Sequence, residues 1–159
     1  MQPESEDIMY SETITLFNRY HSRYGDIWYP HILSKVNLMT DKASIIAKYG
    51  AESTDSASLH IKYEIDNDSM VIQGIPYLPP KEWSNQNEEQ LANSITFNHD
   101  SNHYDFFIVG EYVKTEPIKD EDYIEGFYNQ MQKEKDYCYA ITSVSNPYKV
   151  IPHFEIIAK

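Results

Sequence analysis

Cysteine occurs once in 159 residues, at Cys138. An internal disulfide is therefore excluded, and with it the stapled scaffold of small secreted domains. Because the thiol lies in the apolar run CYAITSV, it reads as a buried, inert side chain in a reducing compartment. Glycine is also sparse, at five residues, which leaves little backbone for an anion nest; neither a G-x-S-x-G turn nor a paired-cysteine motif occurs. Positive charge is short as well: 13 Lys and Arg stand against 25 Asp and Glu, for a net charge of -12. Tight binding to a phosphate backbone needs clustered cations, so a nucleic-acid grip is disfavoured. The sequence lacks the apolar run of about eighteen residues that a membrane helix needs. The stretch MQPESEDIMY is acidic where a secretory signal is basic and then apolar. The expectation is a soluble protein with no membrane partner.

What the chain does have is tyrosine, fourteen residues of it, on a backbone that reads mainly as strand. In SLHIKYEI the residues Leu59, Ile61, Tyr63 and Ile65 alternate with His60, Lys62 and Glu64, the period of a strand with one wet face. Asp66 to Ser69 is a turn cluster, and MVIQGI follows as a second strand. SETITLFNRY, with Ile14 and Leu16 facing alike, YPHILSKVNLM, DFFIVGEYV, CYAITSV and VIPHFEIIA complete the set. Gly25-Asp26 marks a hairpin tip and Asn146-Pro147 a second turn. DFFIVGEYV carries no polar break from Phe106 to Val109, which suits a strand covered on both faces. In the last strand Phe154, Ile156 and Ala158 share a face. One segment, DEDYIEGFYNQMQKEK, has Tyr123, Ile124, Phe127, Tyr128 and Met131 at helical spacing, with acids in its first turn.

Three prolines in IPYLPPKEW fix the backbone and rule out a strand or helix interior. The segment reads as a rigid extended strap that displays Tyr77 and Trp83. It leads into Ser84 to His103, a polar stretch with only Leu91, Ala92, Ile95 and Phe97 to anchor it, expected to be a long mobile loop. The fold expected is mainly β, a small barrel or sandwich over residues 1–159 as one domain, with one short helix and this long polar loop.

Catalytic chemistry finds no positive support. His99 and His103 in HDSNH have a helical metal spacing, but Asn, Asp and Ser disfavour the helix and no third ligand suggests itself. Glu64, Asp66 and Asp68 lack the glycine and distal glutamate of a calcium loop. No catalytic residue, cofactor or metal site is therefore expected. Tyr24, Trp28, Tyr29, Tyr77 and Trp83 are the best candidates for contact with a sugar, a peptide or another protein; the competing reading is that the two tryptophans are hydrophobic plugs.

Taken in order, IPYLPPKEW, DFFIVGEY and YAITSVSNPYKVIPHFEIIAK resemble a family of short proteins encoded among the head and neck genes of tailed phages and prophages. The positions that carry the resemblance are Pro79, Pro80 and Trp83; Asp105, Gly110 and Glu111; Ile141 to Val144; and His153, Phe154, Ile156 and Lys159. The chain departs from the pattern at Ser145-Asn146-Pro147-Tyr148, and Phe154 stands where tryptophan is usual. The resemblance implies a virion protein of the head-to-tail connector, similar to head-completion or stopper proteins. Such a protein assembles as a homo-oligomeric ring between portal or adaptor and tail proteins, with DNA passing through unbound. It also implies a partner interface drawn from Trp28, Tyr29, Tyr77, Pro79, Pro80, Trp83, His153 and Phe154. The alternative is a monomeric β module that binds carbohydrate or peptide.

Overall fold

In the computed structural model, which describes residues 10–40 and 56–159, the chain is mainly β and closes a six-stranded barrel. The acidic N-terminal stretch read above lies outside these residues, Tyr10 excepted. Apart from the short β8 (Ile118–Lys119), an added edge strand, the barrel strands are β1 (Glu12–Ser22), β2 (Gly25–Met39), β3 (Ala57–Lys62), β7 (Phe106–Val109), β9 (Cys138–Val144) and β10 (His153–Ala158). They run in the order β1-β7-β9-β10-β3-β2, and the β1–β2 pairing closes the circle. Every pairing is antiparallel. Full closure leaves the barrel strands without a free edge.

The barrel begins with a long hairpin. Ser22 pairs with Gly25 across the tip Arg23-Tyr24, and the ladder runs on to Glu12 and Val36. At Lys35 the backbone turns to φ 52 in an irregularity of this ladder, and beyond Val36 β2 leaves β1 to pair with β3 through Asn37, Leu38 and Met39. A non-glycine residue in this region marks a sharp local change of direction, here the corner where one strand serves two neighbours.

Alternation along the strands fills the interior. Ile14, Leu16, Leu33, Leu59, Ile61, Phe107, Ile141, Phe154 and Ile156 form one buried cluster, as the period-two reading of β3 and β10 anticipates. The barrel is a packed core and not a container. The outer face is partly covered too. Phe17, Trp28, Phe106 and Ile108 lie beneath α3 (Phe127–Glu134), whose Phe127 and Met131 complete a second cluster. This double covering explains the unbroken apolar run in DFFIV.

Three expectations change. The strand SLHIKYEI ends at Lys62; Glu64–Asp66 is β4 of a separate three-stranded sheet with β5 (Ser69–Ile72) and β6 (Ile75–Pro76), and Ile65 is exposed. Asn67 and Asp68, then Gln73 and Gly74, have positive φ in consecutive tight turns, where Asn, Asp and Gly are the residues that tolerate it. The predicted single helix 120–135 is divided: a 3-10 turn at Asp120–Asp122 is followed by Gly126 at φ 90, and the α-helix begins only at Phe127. Gly126 takes a conformation that no helix interior allows.

The third change concerns the strap and the polar stretch. Pro79 and Pro80 open a short helix, α1 (Pro80–Ser84), with proline at a first-turn position where the missing N–H costs nothing. A second, α2 (Glu88–Ala92), starts at Asn87 with a reciprocal capping box to Gln90. Leu91, Ile95 and Phe97 are buried, and Ile95 and Phe97 belong to the barrel's own core. Three apolar residues in the right places are enough to make the stretch a plug.

Candidate functional site

The sequence-predicted contact residues go largely inward. Trp28 and Phe154 are core residues; Tyr29, Trp83 and Leu91 form a third buried cluster against the barrel wall. Trp83 stands edge-on to Tyr29 and Tyr20, and its Nε1–H points to the Ser94 carbonyl at 3.3 Å. Tyr77 is half-buried against Phe97 and Phe154. Pro79 is exposed, and Pro80 and His153 are half-buried like Tyr77. The display role assigned to Trp28, Tyr29, Trp83 and Phe154 is therefore corrected: their aromatic area stabilises the fold and leaves none for a partner or a sugar.

Where the plug meets the hairpin, a polar corner forms. Asp105, fully buried, accepts from Arg19 N (2.8 Å), Asn98 N (2.8 Å) and Asn18 Nδ2 (2.9 Å). Asn18 also donates to the Thr96 carbonyl at 2.7 Å and so holds the plug to β1. All three bonds favour the carboxylate, yet burial outweighs them and pushes its carboxyl up to about 7. Arg19 lies over the Trp28 ring, 4.9 Å from its centroid, and pairs with Asp26 at 2.6 Å; His21 reaches the other Asp26 oxygen at 2.7 Å. His103 packs on His21 with 4.5 Å between ring centroids. The cleft that Arg19, His21 and His103 share with Lys81, Asn98 and Asp100 has a volume of about 420 Å³.

This placement disposes of HDSNH as a pair of ligands. Asp100 Oδ1 accepts from Asn102 N at 2.8 Å in a tight turn, which leaves His99 exposed and directs His103 to His21. Cys138 is half-buried, and burial pushes its thiol up to about 12, which suits an unreactive side chain. The corner is a junction between the hairpin and the plug, cationic at Arg19 and Lys81 in an otherwise acidic chain.

Apart from Tyr24, named above, sequence reasoning did not mark the surface residues that are available. The large apolar side chains left exposed include Tyr24 at the β1–β2 tip, Ile65 on β4, Val113 and Ile124 in the loops before α3, and Tyr148, Val150 and Ile151 between β9 and β10. Most lie on tips and connections; Ile65 and Ile124, which alternation and helical spacing would bury, are exposed because the barrel strand ends at Lys62 and the helix begins only at Phe127. Among the described residues no helix is long and apolar enough to cross a membrane.

No curated protein and no solved structure matches this chain. A family match covers residues 9–159, which takes in the whole barrel and its plug: the chain belongs to the family described as "Family of unknown function (DUF6751)".

Proposed function

We propose that this chain is a structural subunit of the phage head-to-tail connector, a stopper-like ring component that joins head to tail and helps retain or pass DNA. The observation that carries the reading is the distribution of exposed apolar side chains. Tyr24, Val150 and Ile151 are on tips and connections of a barrel whose interior is filled, and Ile65 is on the separate three-stranded sheet. Exposed apolar area gains stabilisation when another surface covers it, about 25 cal/mol per Å². Projecting groups of this kind suit contacts between subunits better than capture of a small molecule. The acidic balance fits a passage for DNA: a net charge of -12 repels phosphates and does not hold them. The motif order in residues 75–159 supports the same reading by resemblance, and its partners would be copies of this chain, portal or adaptor proteins, and tail proteins in the virion.

The monomeric carbohydrate or peptide module loses its basis, because Trp28, Tyr29 and Trp83 are buried. The test is deletion of the gene from a phage or prophage that carries it, with electron microscopy of the particles. Heads that leak DNA or lack tails, restored by the gene in trans, are the expected result. Normal tailed, DNA-filled particles without the protein would overturn the proposal.

A further inference from the structure

The outer face of the β3–β10 ladder places two histidines and a glutamate together. In the register, Glu155 lies opposite His60 and His153 lies opposite Lys62. The buried residues Phe154, Ile156, Leu59 and Ile61 take the inner face, so alternation puts His60, His153 and Glu155 on the same outer surface. One potential ligand atom from each lies within 4.8 Å of the other two. Metal–nitrogen bonds of about 2.0–2.1 Å in a tetrahedral site imply ligand separations of roughly 3.4 Å. Small side-chain rotations on a fixed backbone close that difference.

The arrangement is more built than a chance meeting of surface side chains. His153 Nδ1 lies 2.8 Å from the Ile151 carbonyl, the contact that fixes a tautomer and leaves Nε2 for a metal. Its ring stacks on Tyr148 at 4.7 Å and 9°, and on its other neighbour, His60, at 5.3 Å and 18°. Tyr148 is itself held by backbone bonds to His153 and by Tyr63, whose hydroxyl donates to the Tyr148 carbonyl at 2.8 Å. The Glu155 backbone is clamped to Ser145 in both directions. Lys62, the one cation directly across from His153, has its ammonium over the Tyr10 ring, 4.4 Å from the centroid.

We propose that His60, His153 and Glu155 bind a divalent late first-row cation, zinc above all, with a fourth position open to water. Two imidazoles and a carboxylate are the donor set that zinc accepts in three-ligand sites. This departs from the expectation of no metal, and it is independent of the connector reading. The sequence hid the site because its members come from strands far apart in the chain.

Calorimetric titration of zinc ions into untagged, chelator-stripped full-length protein tests it. One zinc per chain is expected, with affinity reduced at least about 10-fold in His153→Ala and in the isosteric Glu155→Gln. The double variant His99→Ala, His103→Ala should bind zinc unchanged. Cobalt substitution should give the visible spectrum of a four-coordinate site that His60→Gln abolishes, while thermal melts without metal verify that the variants fold. No saturable site, or binding insensitive to His153→Ala and Glu155→Gln in folded protein, would overturn the proposal.

Discussion

Trp28 and Phe127 share one acceptor: the indole Nε1–H donates to Asp120 Oδ1 at 2.9 Å, and the Phe127 amide donates to the same oxygen at 2.8 Å. One carboxylate thus pins a core tryptophan of β2 and satisfies the first turn of α3. Gly126, between them in the chain, sits so close that an added Cβ would meet both Asp120 carboxylate oxygens at 3.3 Å.

Asp120→Ala should destabilise the fold by about 2–4 kcal/mol, the sum of a lost helix cap and a buried indole N–H left without a partner. Gly126→Ala should also destabilise, through φ 90 and the contact with Asp120. Urea denaturation of both variants checks this. Wild-type stability in Asp120→Ala would mean that water replaces the carboxylate at no cost.

Trp83→Ala should lower stability by about 3–5 kcal/mol, the usual cost of truncating a buried large aromatic. Burial at 1 % exposure makes this a folding residue, so the variant should show a sharply lower melting temperature. If Trp83→Ala melted like wild type while losing assembly, the contact role first assigned to it would be restored.

That reversal shows where the sequence is legible. Leu59, Ile61, Phe154 and Ile156 announce their inner face by alternation alone, because a barrel strand has a filled side and a wetter one. Phe106 to Ile108 announce burial on both sides by the absence of alternation. The plug is less plain, though its signals are present: Pro80 at a helix start, and Asn87 three residues before Gln90 as a capping box. The polarity of the residues around them outweighs these signals. The zinc candidate has no linear signal, since only the β3–β10 register brings His60 to Glu155. Linear spacing favoured His99 and His103, which the Asp100 turn separates in role.

Two buried titratable groups should tilt stability in opposite directions with pH. Burial holds the His31 imidazole down at about 4, against an ordinary value of 6.5, so the neutral ring favours the fold above pH 6.5 and that contribution is lost as pH falls towards 4. Asp105 is raised from near 4 to about 7, so its contribution is complete below pH 4 and is lost as pH rises through 7. Each shift corresponds to a few kcal/mol. His31→Leu should therefore gain stability relative to wild type on acidification from pH 6.5 to 4, whatever constant offset the substitution adds. Denaturation curves at several pH values give the slopes. Parallel slopes for variant and wild type would show that His31 protonates in the fold as freely as in water.

Ile151 combines exposure with strain, and its replacement separates folding from assembly. The side chain is 59 % exposed, and its φ of 54 is a left-handed value that costs a β-branched residue roughly 1–2 kcal/mol. Such strain persists when something else depends on the residue. On the connector reading, that dependence is contact with a neighbouring subunit. Ile151→Asn keeps the carbonyl that orients His153, relieves the backbone and removes the apolar group. It should therefore raise or preserve the melting temperature, by up to about 1 kcal/mol of stability, and leave zinc affinity unchanged. In complementation of a deletion phage it should reduce the yield of tailed, DNA-filled particles, in contrast to Trp83→Ala, whose defect should follow the amount of folded protein. A lower melting temperature in Ile151→Asn would mean that the side chain supports the fold. Full particle yield from the stable variant would remove Ile151 from the assembly surface and leave its strain serving the geometry of His153.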